Sequence, residues 1–143
     1  MKGAIERAPE RAKLVVDPSD AEVQRWLAAA DFVLIPSRYE PGGTLHARAQ
    51  RFGAIPLATG RFGYSDSIVD LDAALETGTG FLLDPPSADA IVSGVGRALA
   101  AYRHPRFSTL RRRVMRVDVG WDRPARRYEK LYKQVVQAGL ANT

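Results

Sequence analysis

The sequence has no cysteine, which removes disulfides, thiolate nucleophiles and cysteine-based zinc sites together. Its only imidazoles, His46 and His104, fall in no metal-ligand spacing, so neither a metal nor a cofactor is expected. No apolar run reaches the length of a membrane-spanning helix, and the N-terminus is charged rather than signal-like. The expected setting is cytoplasmic, with no membrane partner. Internal repeats and low-complexity linkers are also missing. The 143 residues are therefore read as one domain, 1–143, with 1–12 and 139–143 fraying at its ends.

What is present is ordinary in bulk and uneven in placement. Hydrophobic residues at 45% and charged residues at 26% suit a packed domain. The net charge of +5 is concentrated late: residues 97–133 carry 12 Arg or Lys against 3 acids. A block of one sign invites a polyanion reading. These arginines lie among helix-forming apolar residues and not among interleaved aromatics, so solvated helix faces are the expected outcome and nucleic acid is not an expected partner.

Along the chain, Lys13-Leu14-Val15-Val16 reads as a short strand ended by Asp17-Pro18. Ser19 and Glu22 stand at the spacing of a capping box, and Val23, Trp26, Leu27 and Ala30 recur at helical spacing to give the following helix its buried face. Asp31-Phe32-Val33-Leu34-Ile35 and Gly53-Ala54-Ile55-Pro56-Leu57-Ala58 read as buried strands around a helix from Thr44 to Phe52. Leu71 to Thr79 is a polar loop or short helix. Gly80-Phe81-Leu82-Leu83 is a further strand, stopped by Asp84-Pro85-Pro86. Ser87 then caps a helix whose apolar stripe is Ile91, Val92, Val95, Leu99 and Tyr102. Phe107 to Val117 forms another. Pro124 opens a last helix with Tyr128, Leu131, Tyr132 and Val135 on its inner face, anchored by Trp121. Strands alternating with helices imply an α/β, doubly wound parallel sheet.

The candidate site follows the first buried strand. Pro36-Ser37-Arg38-Tyr39-Glu40-Pro41-Gly42-Gly43 brings an arginine, a carboxylate and a glycine pair to the strand's carboxyl end, where open α/β sheets bind ligands. The next strand ends in a second glycine loop, Thr59-Gly60-Arg61-Phe62-Gly63-Tyr64. Two adjacent strands with such loops outline one side of a nucleotide-type cleft. Glu40 is otherwise a solvated loop carboxylate or an ion-pair partner for Arg38, and His46 an ordinary surface histidine.

The same residues carry a resemblance. Ala30-Asp31-Phe32-Val33-Leu34-Ile35-Pro36-Ser37-Arg38-Tyr39-Glu40-Pro41 is similar to the start of the donor-binding signature of bacterial glycogen synthases and plant starch synthases. The similarity continues through Arg51-Phe52-Gly53-Ala54-Ile55-Pro56, Asp66-Ser67-Ile68-Val69-Asp70 and Gly78-Thr79-Gly80-Phe81-Leu82. It closes on Asp118-Val119-Gly120-Trp121 and Ala125-Arg126-Arg127-Tyr128-Glu129-Lys130-Leu131-Tyr132. The resemblance implies a Rossmann-like parallel sheet with flanking helices, the truncated C-terminal half of a GT-B fold, and a retaining glucosyltransferase that uses ADP-glucose and an α-glucan. It places Glu40 beside the donor glucose. Arg38, Tyr39, Pro41, Gly42, Gly43, Thr44, Arg61 and Gly63 would line the nucleotide sugar, with Gly42, Gly43 and Thr44 offering backbone N–H groups.

Departures from the family pattern cluster at the chemistry. After Glu-Pro the family has Cys, Gly, Leu, Thr, Gln, where this chain has Gly42, Gly43, Thr44, Leu45, His46. The later Thr-Gly-Gly-Leu is Arg61-Phe62-Gly63-Tyr64, with Phe62 where close backbone approach favours glycine. Pro18 stands where a tyrosine stacks on adenine, and the basic pair that neutralises the diphosphate belongs before residue 1. The expected function is thus the donor side of a glycogen/starch synthase-like glucosyltransferase, catalytically incomplete as an isolated chain, with no metal site. The alternative is a non-catalytic nucleotide- or glycan-binding or oligomerising module, and polyanion binding is a weaker third. In the family architecture the last helix crosses to an N-terminal domain. A chain without that cover is expected to associate through Trp121, Tyr128, Leu131 and Tyr132, as a homo-oligomer. Light scattering over a concentration series is expected to show dimer or larger species; a concentration-independent monomer mass would reject association.

Overall fold

A computed structural model describes residues 2–5, 7–84 and 87–141. In chain order its elements are α1 (Lys2–Ile5), α2 (Asp20–Ala29), β1 (Phe32–Ile35), α3 (Leu45–Arg51) and β2 (Ile55–Thr59). They continue with α4 (Gly63–Ser67), β3 (Phe81–Leu83), α5 (Ala88–Tyr102), α6 (Phe107–Met115) and α7 (Asp122–Ala141). The strands pair in parallel in the order β1-β2-β3. Phe32 lies opposite Ile55, Ile35 opposite Ala58, and Leu57 opposite Phe81. All five residues of β2 are buried, as a central strand with helices on both faces requires.

Side chains alternate across this sheet into two cores. One face sets Ile55, Leu57, Phe81 and Leu83 against Ala98 and Ala101 of α5 and Leu110 and Val114 of α6. The other sets Ile35 and Ala58 against Tyr64 and Ile68, with Leu27, Ala49 and Ala54 continuing the layer under α2 and α3. This is the Rossmann-like arrangement expected from alternating strands and helices. The caps also form. Ser19 Oγ accepts from Glu22 N–H while the Glu22 carboxylate accepts from Ser19 N–H at 3.0 Å, and Ser87 Oγ accepts from Ala90 N–H at 3.2 Å.

Several expectations are corrected. Residues 13–16 form no strand, because a strand needs a neighbour and none lies alongside; Val16 is 81% exposed. Asp17 then turns the chain into α2 with a positive φ of 53°. On α2, Leu27 is buried but Trp26 is exposed. The buried side of α5 is Gly94, Ala98 and Ala101, with Ile91 of the expected stripe partly buried against the same core; Val92, Val95, Leu99 and Tyr102 are exposed. The sheet lies too close for large side chains, since Leu83 fills the space a side chain on Gly94 would need. Helix α6 ends at Met115, short of Val117. Residues 2–5 are helical, and α7 runs to Ala141. Met1, Glu6, Asn142 and Thr143, in the segments expected to fray, and the stop at Pro85-Pro86 lie outside the described residues. The intended inner face of α7 is exposed at Trp121, Tyr128, Leu131, Tyr132 and Val135, because no described element packs along it.

The arginine-rich stretch does more than decorate solvent. Arg113 donates to four carbonyl oxygens of one loop, Leu75, Glu76, Thr77 and Gly78, at 2.9–3.0 Å. Arg106 binds the Glu76 carboxylate, and Arg111 ties Gly53 O and Asp31 to α6 at 3.2 Å. The Asp72 carboxylate accepts from the Thr77 hydroxyl and from the Thr77 and Glu76 N–H groups, which holds its pKa well below the usual carboxylate range. The 71–79 segment is therefore an ordered loop built on buried Leu71 and Leu75. Replacing Arg113 with lysine retains the charge but not the planar fork. Arg113→Lys is expected to lower stability by about 1.5–3 kcal/mol, the scale of hydrogen bonds to a charged donor, read as a fall in urea midpoint at unchanged slope.

Candidate functional site

The parallel register of β1 and β2 sets the 36–44 loop beside the 60–64 loop at the carboxyl edge of the sheet. Thr59 Oγ1 links them directly, donating to Ser37 O at 3.0 Å. At their junction is Gly43. A methyl group there would stand 2.7 Å from Glu40 Cγ and Cδ and 2.7 Å from the Tyr64 hydroxyl oxygen, so only glycine admits both side chains. Glu40 and Tyr64 thus converge on one stretch of backbone.

Tyr64 is held by the core and not by the loop. Its ring is buried on α4 with Ile68 one turn later, and its edge meets the His46 ring at 5.2 Å and 87°. The phenol oxygen is buried and has no hydrogen-bond partner among the described residues. Its pKa is raised, first by burial and then by the Glu40 charge, with the nearby Ser37 side chain opposing in part. His46 is buried too, at 9% exposure, which corrects the expectation of a surface histidine. Helix α3 buries His46, Ala49 and Gln50, the i, i+3, i+4 spacing of an inward face, so the helical period carried the signal. Burial lowers the His46 pKa, opposed by a hydrogen bond with the Gly43 backbone, and His46 Nδ1 has no hydrogen-bond partner among the described residues.

The other expected site residues surround this corner. Arg38 and Arg61 are exposed, and neither forms an ion pair among the described residues, so the alternative Arg38–Glu40 pair is not made. Pro41, Gly42 and Gly63 are exposed, with open space beside both glycines. Thr44 caps α3 without a side-chain hydrogen bond. With seven residues, α3 is too short for a strong terminal dipole, so anion binding here would depend on loop N–H groups and side-chain charge. Tyr39 projects into solvent with its ring edge-on to Phe62, centroids 5.6 Å apart.

Phe62 departs most from local rules. Its φ of 58° and ψ of −150° lie in a region that is essentially restricted to glycine. Holding phenylalanine there costs about 1–3 kcal/mol. The loop has therefore kept a glycine's backbone path while carrying an aromatic side chain. Among the described residues no three His, Asp or Glu side chains converge as metal ligands would. Two other concavities lie nearby and farther off. A groove of about 470 Å3 runs between His46, Asp66 and Ser67 and the Arg123 and Arg127 side of α7, and a pocket of about 250 Å3 is walled by Leu71, Phe81, Arg97 and His104.

Comparison with known proteins decides the family. A profile of the family described as "Glycosyl transferases group 1" matches residues 8–111. The chain belongs to the group 1 glycosyl transferases. Within that family it is similar to a glycogen synthase of Methylocella silvestris, 36% identical over 94% of this chain and 29% of the relative. A second, glycogen synthase 1 of Bradyrhizobium diazoefficiens, is 33% identical over 92% of this chain and 28% of the relative. Among solved structures, the catalytic domain of starch synthase IV from Arabidopsis thaliana, bound to ADP and acarbose, superposes with a TM-score of 0.81. That match is 26% identical over 95% of this chain and 29% of the neighbour. A sucrose-phosphate synthase from Thermosynechococcus elongatus shares the fold, with a TM-score of 0.65 at 23% identity over 96% of this chain and 34% of the neighbour. This group 1 chain therefore spans less than a third of the length of the glycogen synthases it matches. Its sheet and flanking helices are those of part of a GT-B glycosyltransferase. Among the described residues no helix is long and apolar enough to cross a membrane.

The buried imidazole yields a pH test. A base whose folded pKa is depressed opposes folding once the unfolded chain can take up its proton. Stability from this site is complete above the ordinary histidine value of 6.5 and falls as pH drops through it toward the lower folded value. His46→Gln is expected to flatten that acid limb, measured as urea stability from pH 7.5 to 5; an unchanged limb would contradict a buried neutral imidazole.

Proposed function

We propose that this chain forms the donor side of an ADP-glucose-dependent glucosyltransferase site, centred on Glu40, and that it is catalytically incomplete alone. The observation that carries this reading is the convergence of Glu40 and the unpartnered Tyr64 hydroxyl on Gly43. A buried hydroxyl without a partner costs about 1–3 kcal/mol, so this corner favours a ligand or water that satisfies it. The family membership supplies the reaction class. The starch synthase neighbour bound to ADP and acarbose supports a nucleotide sugar and a glucan as the two substrates.

In the proposed complex the Glu40 carboxylate accepts hydrogen bonds from donor glucose hydroxyls, and the buried Tyr64 phenol, kept protonated by its raised pKa, offers a donor beneath Gly43 to a water or ligand group that reaches it. Backbone N–H groups of Gly42, Gly43 and Thr44 face the diphosphate. Arg38 and Arg61, at adjacent strand ends and without ion-pair partners among the described residues, supply positive charge as the leaving diphosphate gains negative charge. Preorganised donors and cations of this kind stabilise a transition state without reorganising, and each is worth a few kcal/mol in a dry site. The corner lies open on the sheet edge, and nothing among the described residues covers it. A facing domain is therefore required to exclude water and seat the acceptor. The exposed apolar stripe on α7 is the proposed surface for that domain or, in its absence, for a second copy of the chain.

The 143-residue chain is expected to transfer no measurable radiolabelled glucose from ADP-glucose to glycogen. Transfer that saturates with donor and vanishes in Glu40→Ala would establish a complete active site instead.

A further inference from the structure

The Tyr39–Phe62 pair has no role in the proposed diphosphate cradle, yet the fold goes to some length to present it. Phe62 sits in a backbone conformation suited to glycine, at the start of α4, on the loop that faces Glu40. Its ring does not enter the core to compensate: Phe62 is 39% exposed and Tyr39 75% exposed. The two rings stand nearly perpendicular, at 81° with centroids 5.6 Å apart, and both remain exposed. Strain of this kind persists at ligand clamps, where the strained residue is part of the binding surface.

The chemistry around the corner narrows the ligand. Arg38 and Glu40 flank Tyr39 in sequence, and Arg61 precedes Phe62, so charged hydrogen-bonding residues of both signs neighbour the aromatic pair along the chain. A pyranose ring has apolar C–H faces and a girdle of hydroxyls, which such a surface satisfies at once. A phosphate gains nothing from the ring faces themselves, which carry no hydrogen-bond donor. We infer that Tyr39 and Phe62 form a stacking platform for a glucose ring of an α-glucan, at the rim of the Glu40 corner. The inference rests on the donor-site reading for its ligand class, but it assigns the glucan a contact on this domain, where the donor reading alone needs none.

Isothermal titration of the full chain with maltoheptaose tests it, alongside ADP and thermal melts. The wild-type chain is expected to bind maltoheptaose, with Tyr39→Ala and Phe62→Gly each weakening binding by about tenfold, the upper scale of one aromatic stacking contact. Phe62→Gly is expected to be at least as thermally stable as wild type, because the backbone strain is released. That combination separates a binding surface from a packing residue. Val92→Ala, on the exposed side of α5, is expected to leave glucan binding unchanged. No binding by wild type at about 10 mM maltoheptaose, unaltered binding in both platform variants, or a loss of binding in Phe62→Gly that accompanies a fall in melting temperature would overturn the inference. Glucan binding without ADP binding would uphold the platform and count against the donor reading. ADP binding lost in Glu40→Ala, with no glucan binding, would uphold the donor reading and overturn the platform.

Discussion

The parallel pairing of β1 with β2 is the constraint on which the rest of the site depends. With Ile35 opposite Ala58, both strands end at one level, and the loops that leave them meet side by side. A shift of one residue would send the inward side chains of a strand to the opposite face. It would also carry Ser37 away from Thr59 Oγ1, the hydrogen bond that joins the loops. From this register follow the approach of Glu40 to Tyr64, the need for glycine at 43, and the burial of His46 beneath them. The site is a consequence of sheet geometry before it is a matter of chemistry.

Much of this was legible in sequence because it rests on short-range rules. Apolar runs gave the three strands, Ser19 with Glu22 gave a cap that forms as a reciprocal pair, and Ser87 opened α5. What was not legible required knowledge of neighbours. Lys13 to Val16 has strand composition, yet no strand lies beside it. The α5 pattern misled because the close sheet selects Gly94, Ala98 and Ala101 over larger apolar residues. The α6 arginines looked solvated, but Arg113 and Arg111 meet backbone carbonyls remote in sequence. Tyr64 carries no local sign of a role in the 59–64 sequence, since nothing there indicates that its hydroxyl is buried and unpartnered among the described residues.

The departures from the family pattern and the structure point to the same loop. Phe62 holds a backbone conformation that glycine favours, so its aromatic side chain is carried as strain. The α7 helix shows a second kind of incompleteness, with a clean apolar stripe and no described element against it. Local order and core packing are satisfied in the α/β layer, while the surfaces that would face a donor, an acceptor or a second domain are left open.

The most direct measurement is an amide-resolved NMR titration of the labelled chain with ADP. The account predicts shift changes confined to the two loops, at Arg38, Gly42, Gly43, Thr44, Arg61 and Gly63, with the pocket at Leu71, Arg97 and His104 undisturbed. Saturation in the millimolar range corresponds to a binding free energy of only about −4 kcal/mol, in keeping with an uncovered site. Changes centred on the Arg97 pocket, or none at either loop, would contradict a donor site at Glu40.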